Sequence, residues 1–310
     1  MRKLIIPASV IVAVLSALFP RSVYAADDSV LLFSGWDYKN KQTKWDIYRT
    51  TLTGDSKVVV NSPASESYVF SFPGGRSAGY LLERPKEQYE IFKVDLESGQ
   101  STSTGITIGT DTRCQVSPNQ KELACDDRDR TLSQIVVFDL ATKEKKQITS
   151  FKNNSQYPSW SPDGEKLVYW TGAEAAQVGK DAKPKGIHLA IYSFETNESS
   201  LLTKEPRAYD AAPQWSPDGK WIAFERKGKS RGEWNIWVIR PDGTEATQLT
   251  NEKFENTYPV WSPDSKQLAF QCYRRNSDTF DICGVEVSTK RGFSVTDTPK
   301  VDERQPAWIK

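Results

Sequence analysis

Residues 157–170 read YPSWSPDGEKLVYW. The middle of this stretch, Ser161-Pro162-Asp163-Gly164, is turn chemistry. Proline pre-sets the backbone angle of a second turn position, aspartate bonds backbone two residues on, and glycine takes the left-handed angle near the exit. Short runs rich in aromatic and aliphatic residues lie on either side, which suits strands. The stretch therefore predicts a hairpin. Its pattern returns as APQWSPDGKWIAFE (212–225) and YPVWSPDSKQLAFQ (258–271), and more weakly as RCQVSPNQKELACD (113–126) and YVFSFPGGRSAGYL (68–81). QPAWIK (305–310) begins one more copy. The positions equivalent to Trp160 fall at 71, 116, 160, 215, 261 and 308, a mean step of about 47 residues, and periods of this length mark solenoids, propellers or arrays.

Each copy continues with a third apolar strand: WDIYRTTL (45–52), YEIFKVDL (89–96), QIVVFDL (134–140), HLAIYSF (188–194), WNIWVIR (234–240) and FDICGVEV (280–287). A shorter fourth strand follows, as in KVVVN, KQITS and TQLT. Four antiparallel strands per unit make a propeller blade. The ends complement one another. VLLFSGW (30–36) enters directly at a second strand, while Gln305–Ile309 supplies a lone first strand. The expected fold is all-β: a six-bladed β-propeller of four-stranded antiparallel blades, its first blade closed by three N-terminal strands and one C-terminal strand. Such closure leaves no long unpaired edge.

The repeat also decides a competing motif. GRSAG (75–79) fits the G-x-S-x-G elbow of serine hydrolases, in which the serine sits on a strand-to-helix turn. Here PGGRSAGY overlies PDGKWIAF, so Ser77 belongs to a hairpin strand and no helix follows. The single histidine, His188, opens a third strand and reads as a solvated edge residue. One histidine does not build a zinc site of the usual kind.

The first 25 residues have the layout of a secretory signal peptide: Arg2 and Lys3, an apolar run from Leu4 to Pro20, then Val23-Tyr24-Ala25 before the cut. Residues 26–310 then form the propeller, and the expected location is the periplasm. Cleavage leaves 38 basic against 40 acidic residues, a balance that does not point to nucleic acid. No later segment is apolar for long enough to insert in a membrane. A monomer is expected.

The P-x-W-S-P-D-G-K-x-[IL]-A-F pattern, followed by I-[YW] and L-T, resembles the TolB-like propeller repeat. The resemblance spans all six blades and is sharpest at Tyr157–Trp170, Pro213–Glu225 and Pro259–Gln271. Blades two and three depart from it, with Ser71 and Val116 in place of Trp, and Pro73-Gly74-Gly75 and Pro118-Asn119-Gln120 in place of Pro-Asp-Gly. The resemblance implies a non-catalytic periplasmic binding protein that engages an envelope protein such as a peptidoglycan-associated lipoprotein. The family's α/β domain before the propeller has no counterpart between Ala25 and Val30, so the chain reads as propeller-only.

Three positions before the repeat's proline stand Glu66, Asp111, Ser155, Asp210, Asn256 and Glu303. If they ring one mouth of the channel, their carboxylates invite a basic group or a divalent cation; otherwise they accept hydrogen bonds from neighbouring turns. On the same face, Lys227, Lys229 and Arg231, then Arg274 and Arg275, then Lys39, Lys41 and Lys44 form a basic arc that would steer an acidic partner or serve as ordinary solvated loops. No catalytic residue and no firm cofactor is assigned. The alternative reading is a polysaccharide lyase or hydrolase with a metal at the channel mouth. The recurring tryptophans read as packing between sheets. Four cysteines in an exported chain invite pairing, and Cys114–Cys125 with Cys272–Cys283 is the expected connectivity; four buried free thiols are the alternative.

Overall fold

The computed structural model describes residues 30–309 apart from 38–43, 52–55, 63, 86–87, 110–111, 130–131, 151–152, 173–185, 231, 252–254, 274–278 and 298–300. Its strands form six separate four-stranded sheets, every pairing antiparallel. Among the described residues there is no helix. Within each of blades two to six the four strands follow chain order.

Blade one is the composite that the ends of the sequence predict. Val301–Ile309 pairs with Val30–Asp37, from Val30 opposite Ile309 to Asp37 opposite Val301. The Asp46–Thr51 and Ser56–Val60 strands complete the sheet. Segments far apart in sequence are thus held in one ladder, and the inner edge of Val30–Asp37 is covered.

The strand sequences explain why the blades stack. Side chains alternate across a sheet, and here both faces meet a neighbour. Val30 and Leu32 pack toward blade two with Val69, Ala78 and Tyr80. Leu31 and Phe33 pack toward blade six with Ala269, Ile282 and Val295. All four are buried, which is why VLLF is a continuous apolar run rather than an alternating one. Burial of each such side chain stabilises the fold by roughly 1.5–3 kcal/mol.

The tryptophans stitch one blade to the next. The indole N–H of Trp160 donates to the Gln115 carbonyl at 3.1 Å, that of Trp261 to Gln214 at 3.0 Å, and that of Trp308 to Val260 at 3.1 Å. In each case the acceptor lies on the first strand of the preceding blade. Trp215 breaks the rule: its Nε1 is buried without an acceptor, while its backbone N–H bonds Ser159 Oγ at 3.1 Å. The turns are held as their sequence predicts. Ser161, Ser216 and Ser262 hydroxyls each donate to the aspartate two residues on, and those aspartates accept a backbone N–H beyond the turn.

Candidate functional site

The residues three positions before the repeat's proline do not ring an open mouth. Glu66, Asp210, Asn256 and Glu303 are at most 1% exposed, so each must be satisfied internally. Glu66 Oε1 accepts the Ser62 N–H at 2.8 Å, and Lys44 Nζ lies 3.9 Å from its other oxygen. Asp210 is gripped bidentately by Arg226 at 2.6 and 2.9 Å. Asn256 donates to the Trp234 carbonyl at 3.3 Å, and Glu303 accepts from the Thr296 hydroxyl. These are bonds within and between blades, so the expectation of a carboxylate mouth is corrected in favour of internal acceptors. Burial also raises the Glu66 carboxyl above its usual range, against the Ser62 hydrogen bonds and the Lys44 charge. Asp111 lies outside the described residues, as do Lys39, Lys41, Arg231, Arg274 and Arg275. Of the basic arc, Lys44 is tied to Asp46 at 2.6 Å and Asn61 at 2.9 Å, while Lys227 and Lys229 are exposed.

Both expected disulfides are present, and there is no free cysteine. Cys114 and Cys125 face one another across the blade-three hairpin. Cys272 and Cys283 bridge diagonally, because the register sets Cys283 opposite Phe270 and Cys272 opposite Asp281. Ser77 opens the Ser77–Arg84 strand, as the repeat requires, and half-buried His188 lies on Ile187–Ser193.

The residues that do gather at the axis stand two residues further along. The six first strands touch in sequence around the ring: Glu66–Ser71, Cys114–Val116, Ser155–Trp160, Asp210–Trp215, Asn256–Trp261 and Val301–Ile309. At one shared register these strands, or the residue just before the second of them, bring Tyr68, Arg113, Tyr157, Ala212, Tyr258 and Gln305 to the channel. Tyr68, Tyr157, Ala212, Tyr258 and Gln305 have φ of 53°, 60°, 46°, 57° and 56°, and the pairing register slips there in blades two, four, five and six. Left-handed φ in a non-glycine residue costs on the order of 1–3 kcal/mol. Hydrogen bonds across the blade boundary offset it. The bulge turns the Tyr157 N–H to Asp126 Oδ2 at 3.1 Å and the Tyr258 N–H to Glu225 Oε2 at 2.8 Å. Gln305 N–H reaches Gln271 Oε1 at 3.2 Å, and Tyr68 N–H reaches Gln305 Oε1 at 3.3 Å.

These residues close the channel with an aromatic plug around one cation. The Arg113 Cζ lies 3.4 Å from the Tyr68 ring centroid, 5.1 Å from that of Tyr157 and 5.3 Å from that of Tyr258. The rings of Tyr157 and Tyr258 stack at 5.7 Å, with their hydroxyls 3.2 Å apart. Burial opposes the charge on Arg113, but the phenol oxygens and Asp126 outweigh it, and the guanidinium titrates above its ordinary value. Burial pushes Asp126 up to about 7, against the N–H bond from Arg113, the guanidinium charge and the N–H of Tyr157. Glu225 is also raised to about 7 by burial, against the Tyr258 N–H and the Arg113 charge.

From this plug a cavity of about 470 Å³ runs to the Ser-Pro turns, away from the end at which the sequence suggested a mouth. All six blades line it. Its walls are prolines 73, 118, 162, 217 and 263 with Trp160, Trp215, Trp261 and Trp308, and its floor is the Arg113–tyrosine plug. Sequence reasoning overlooked these floor residues, although four of them stand directly before the repeat's proline, in Tyr157-Pro158, Ala212-Pro213, Tyr258-Pro259 and Gln305-Pro306. Among the described residues, no group of three histidine, cysteine or acidic side chains is placed to hold a metal ion.

With six blades around this channel, residues 81–230 match the TolB beta propeller domain. The chain folds as a TolB-like β-propeller. TolB from Acinetobacter baumannii superposes with a TM-score of 0.73 at 16% identity, over 91% of this chain and 66% of that one. A putative TolB from Agrobacterium tumefaciens gives 0.62 at 16% identity, over 91% and 99%. An oligogalacturonate lyase in complex with manganese gives 0.57 at 18% identity, over 87% and 73%. At these identities the likeness is one of fold. Among curated proteins, the uncharacterized peptidase YuxL of Bacillus subtilis is 28% identical over 56% of this chain and 31% of its own length. An uncharacterized protein of Agrobacterium fabrum is 30% identical over 34% of this chain and 31% of its own. This TolB-like chain thus spans about a third of the curated relatives it matches.

Proposed function

We propose that this TolB-like propeller is an exported, non-catalytic binding protein of the cell envelope, which holds a protein partner at the end of its channel. The observation that carries the reading is the cavity of about 470 Å³ to which every blade contributes, with one charged group at its floor and largely apolar walls. A few convergent polar groups in an apolar concavity are what a binding site is built from. Export to the periplasm is supported by the basic and apolar leader pattern of residues 1–25 and by two disulfides, which persist in oxidising compartments. An envelope protein such as a peptidoglycan-associated lipoprotein is the partner class that the family resemblance implies.

The second reading is a polysaccharide lyase or hydrolase with a metal at the channel mouth. It is favoured by the fold it shares with the manganese-bound oligogalacturonate lyase. It needs donors free to turn inward, and Glu66, Asp210, Asn256 and Glu303 are engaged elsewhere. The test is affinity capture from native envelope extract, with the natural chain and an Ala212→Tyr chain as parallel baits. A partner held by the first and lost by the second is the expected result. Manganese-dependent turnover of oligogalacturonate by the pure protein would instead put the enzyme reading first.

A further inference from the structure

We propose that the cavity takes a carboxylate carried on a slim apolar body, which enters between the Ser-Pro turns and ends on the guanidinium of Arg113. This rests on the binding reading above and adds the chemistry of what is bound. Arginine presents five N–H donors in a rigid fork. Among the described residues only Nη1 of Arg113 has an acceptor, the Thr112 carbonyl at 3.4 Å, and Nε is buried without a partner. One face of the guanidinium is taken by Tyr68, which leaves the donor edge.

The neighbouring carboxylates do not fill that edge. Both oxygens of Asp126 are held by backbone N–H groups, of Arg113 and of Tyr157, and Glu225 is held by that of Tyr258. No described side chain forms an ion pair with Arg113. The titratable groups facing the guanidinium are thus Asp126, Glu225 and the three tyrosines. A half-buried cation whose Nε is sealed from solvent and which has no bonded counter-ion favours an anion, and a carboxylate matches the fork with two parallel hydrogen bonds.

The walls set the rest of the ligand. Apart from Arg113 no lining side chain is charged, and prolines and tryptophans outnumber the polar Ser71, Gln115, Gln214 and Ser216, so the body behind the carboxylate is uncharged and largely apolar. Ala212 lines the floor of the cavity between Tyr157 of blade four and Tyr258 of blade six. At the shared register, tyrosine, arginine or glutamine stands in the other five blades, and alanine is the smallest side chain of the six. Ala212 has the same left-handed φ as Tyr68, Tyr157 and Tyr258, so tyrosine suits the backbone there and would add bulk at the cavity floor.

Titration calorimetry of the purified protein at pH 6 tests the proposal. The probes are hexanoate against hexanamide, and a leucine tripeptide with a free against an amidated C-terminus; the two pairs distinguish a free acid from a peptide end. At least one carboxylate is expected to bind about tenfold or more tightly than its amide, the scale of a hydrogen bond to a charged group. Arg113→Gln is expected to remove that preference. Ala212→Tyr, which keeps the charge, is expected to abolish binding, and Lys57→Ala on the outer strand of blade one to leave it unchanged. Amides that bind as tightly as acids, or a preference that survives Arg113→Gln in a folded protein, overturn the carboxylate and leave the binding reading standing. No binding by any probe overturns the carboxylate proposal and the cavity as the binding site.

Discussion

The Arg113 Cζ lies 3.4 Å from the centroid of the Tyr68 ring, although the two residues belong to different blades and are separated by a whole repeat of sequence. A guanidinium on a desolvated tyrosine face gains on the order of 2 kcal/mol. The same cation depresses the pKa of the two carboxyls behind it, and so couples blades two, three, four, five and six at the axis.

Arg113→Gln is therefore expected to push both Asp126 and Glu225 above about 7, since the charge that opposes their burial is removed. Carboxyl chemical shifts followed by NMR across pH 4–9 check this. Unchanged midpoints would mean that the guanidinium does not act on them.

Stability should fall as pH rises from about 4.5 to about 7. In the unfolded chain Asp126 and Glu225 titrate near 3.8 and 4.5, and in the fold near 7. Across that interval the folded protein binds more protons, which makes the slope negative, with a total on the order of a few kcal/mol. Asp95, Asp139, Asp163, Asp218, Asp242 and Asp264 are shifted down and act in the opposite sense, with stability lost below about 4. Urea unfolding at pH 5 and 8 measures the difference. Glu225→Gln should flatten the slope and preserve the fold, because Gln271 already performs the same bond in blade six.

The indole N–H groups predict a graded series. Trp160→Phe, Trp261→Phe and Trp308→Phe each leave a buried carbonyl short of one donor, and each should cost about 1 kcal/mol beyond the packing change. Trp215→Phe removes an N–H that has no acceptor and should cost least of the four. Denaturant midpoints of the four variants rank them directly.

All four cysteines should resist alkylation in the native, unreduced protein. Replacement of Cys114 and Cys125 by serine should cost about 2–4 kcal/mol, seen as a lower melting temperature, because the bridge restrains the unfolded chain. Ready labelling of the unreduced protein would contradict the pairing.

Truncation before Val301 removes the strand that pairs with Val30–Asp37. The loss strips Leu31 and Phe33 of Trp308 and exposes an apolar edge. Aggregation and a broad, low melting transition are expected. Trp308→Ala in the full chain should cost about 3–5 kcal/mol without inducing aggregation, which separates packing from closure.

The spacing of the Trp-Ser-Pro-Asp-Gly units was enough to determine blade number, strand order, composite closure and the hairpin role of Ser77, and it made Cys114–Cys125 with Cys272–Cys283 the expected pairing while free thiols stayed open. Each of these depends on local turn chemistry or on period-2 patterning, and both are written along the chain. The site was not legible in the same way. A charge at a repeat position reads alike whether its side chain faces solvent or a neighbouring sheet, and Glu66, Asp210 and Glu303 turned out to be buried acceptors. Tyr157 and Tyr258 could have been noticed before their prolines, but nothing in their spacing shows that they stack with one another. Arg113 among three tyrosines, the stacked Tyr157 and Tyr258 and two carboxyls near 7 arise from left-handed bulges that bring residues of different blades to one axis. Only closure of the ring decides those contacts, because the groups that meet there are brought together by the packing of whole sheets and not by any local preference of the chain.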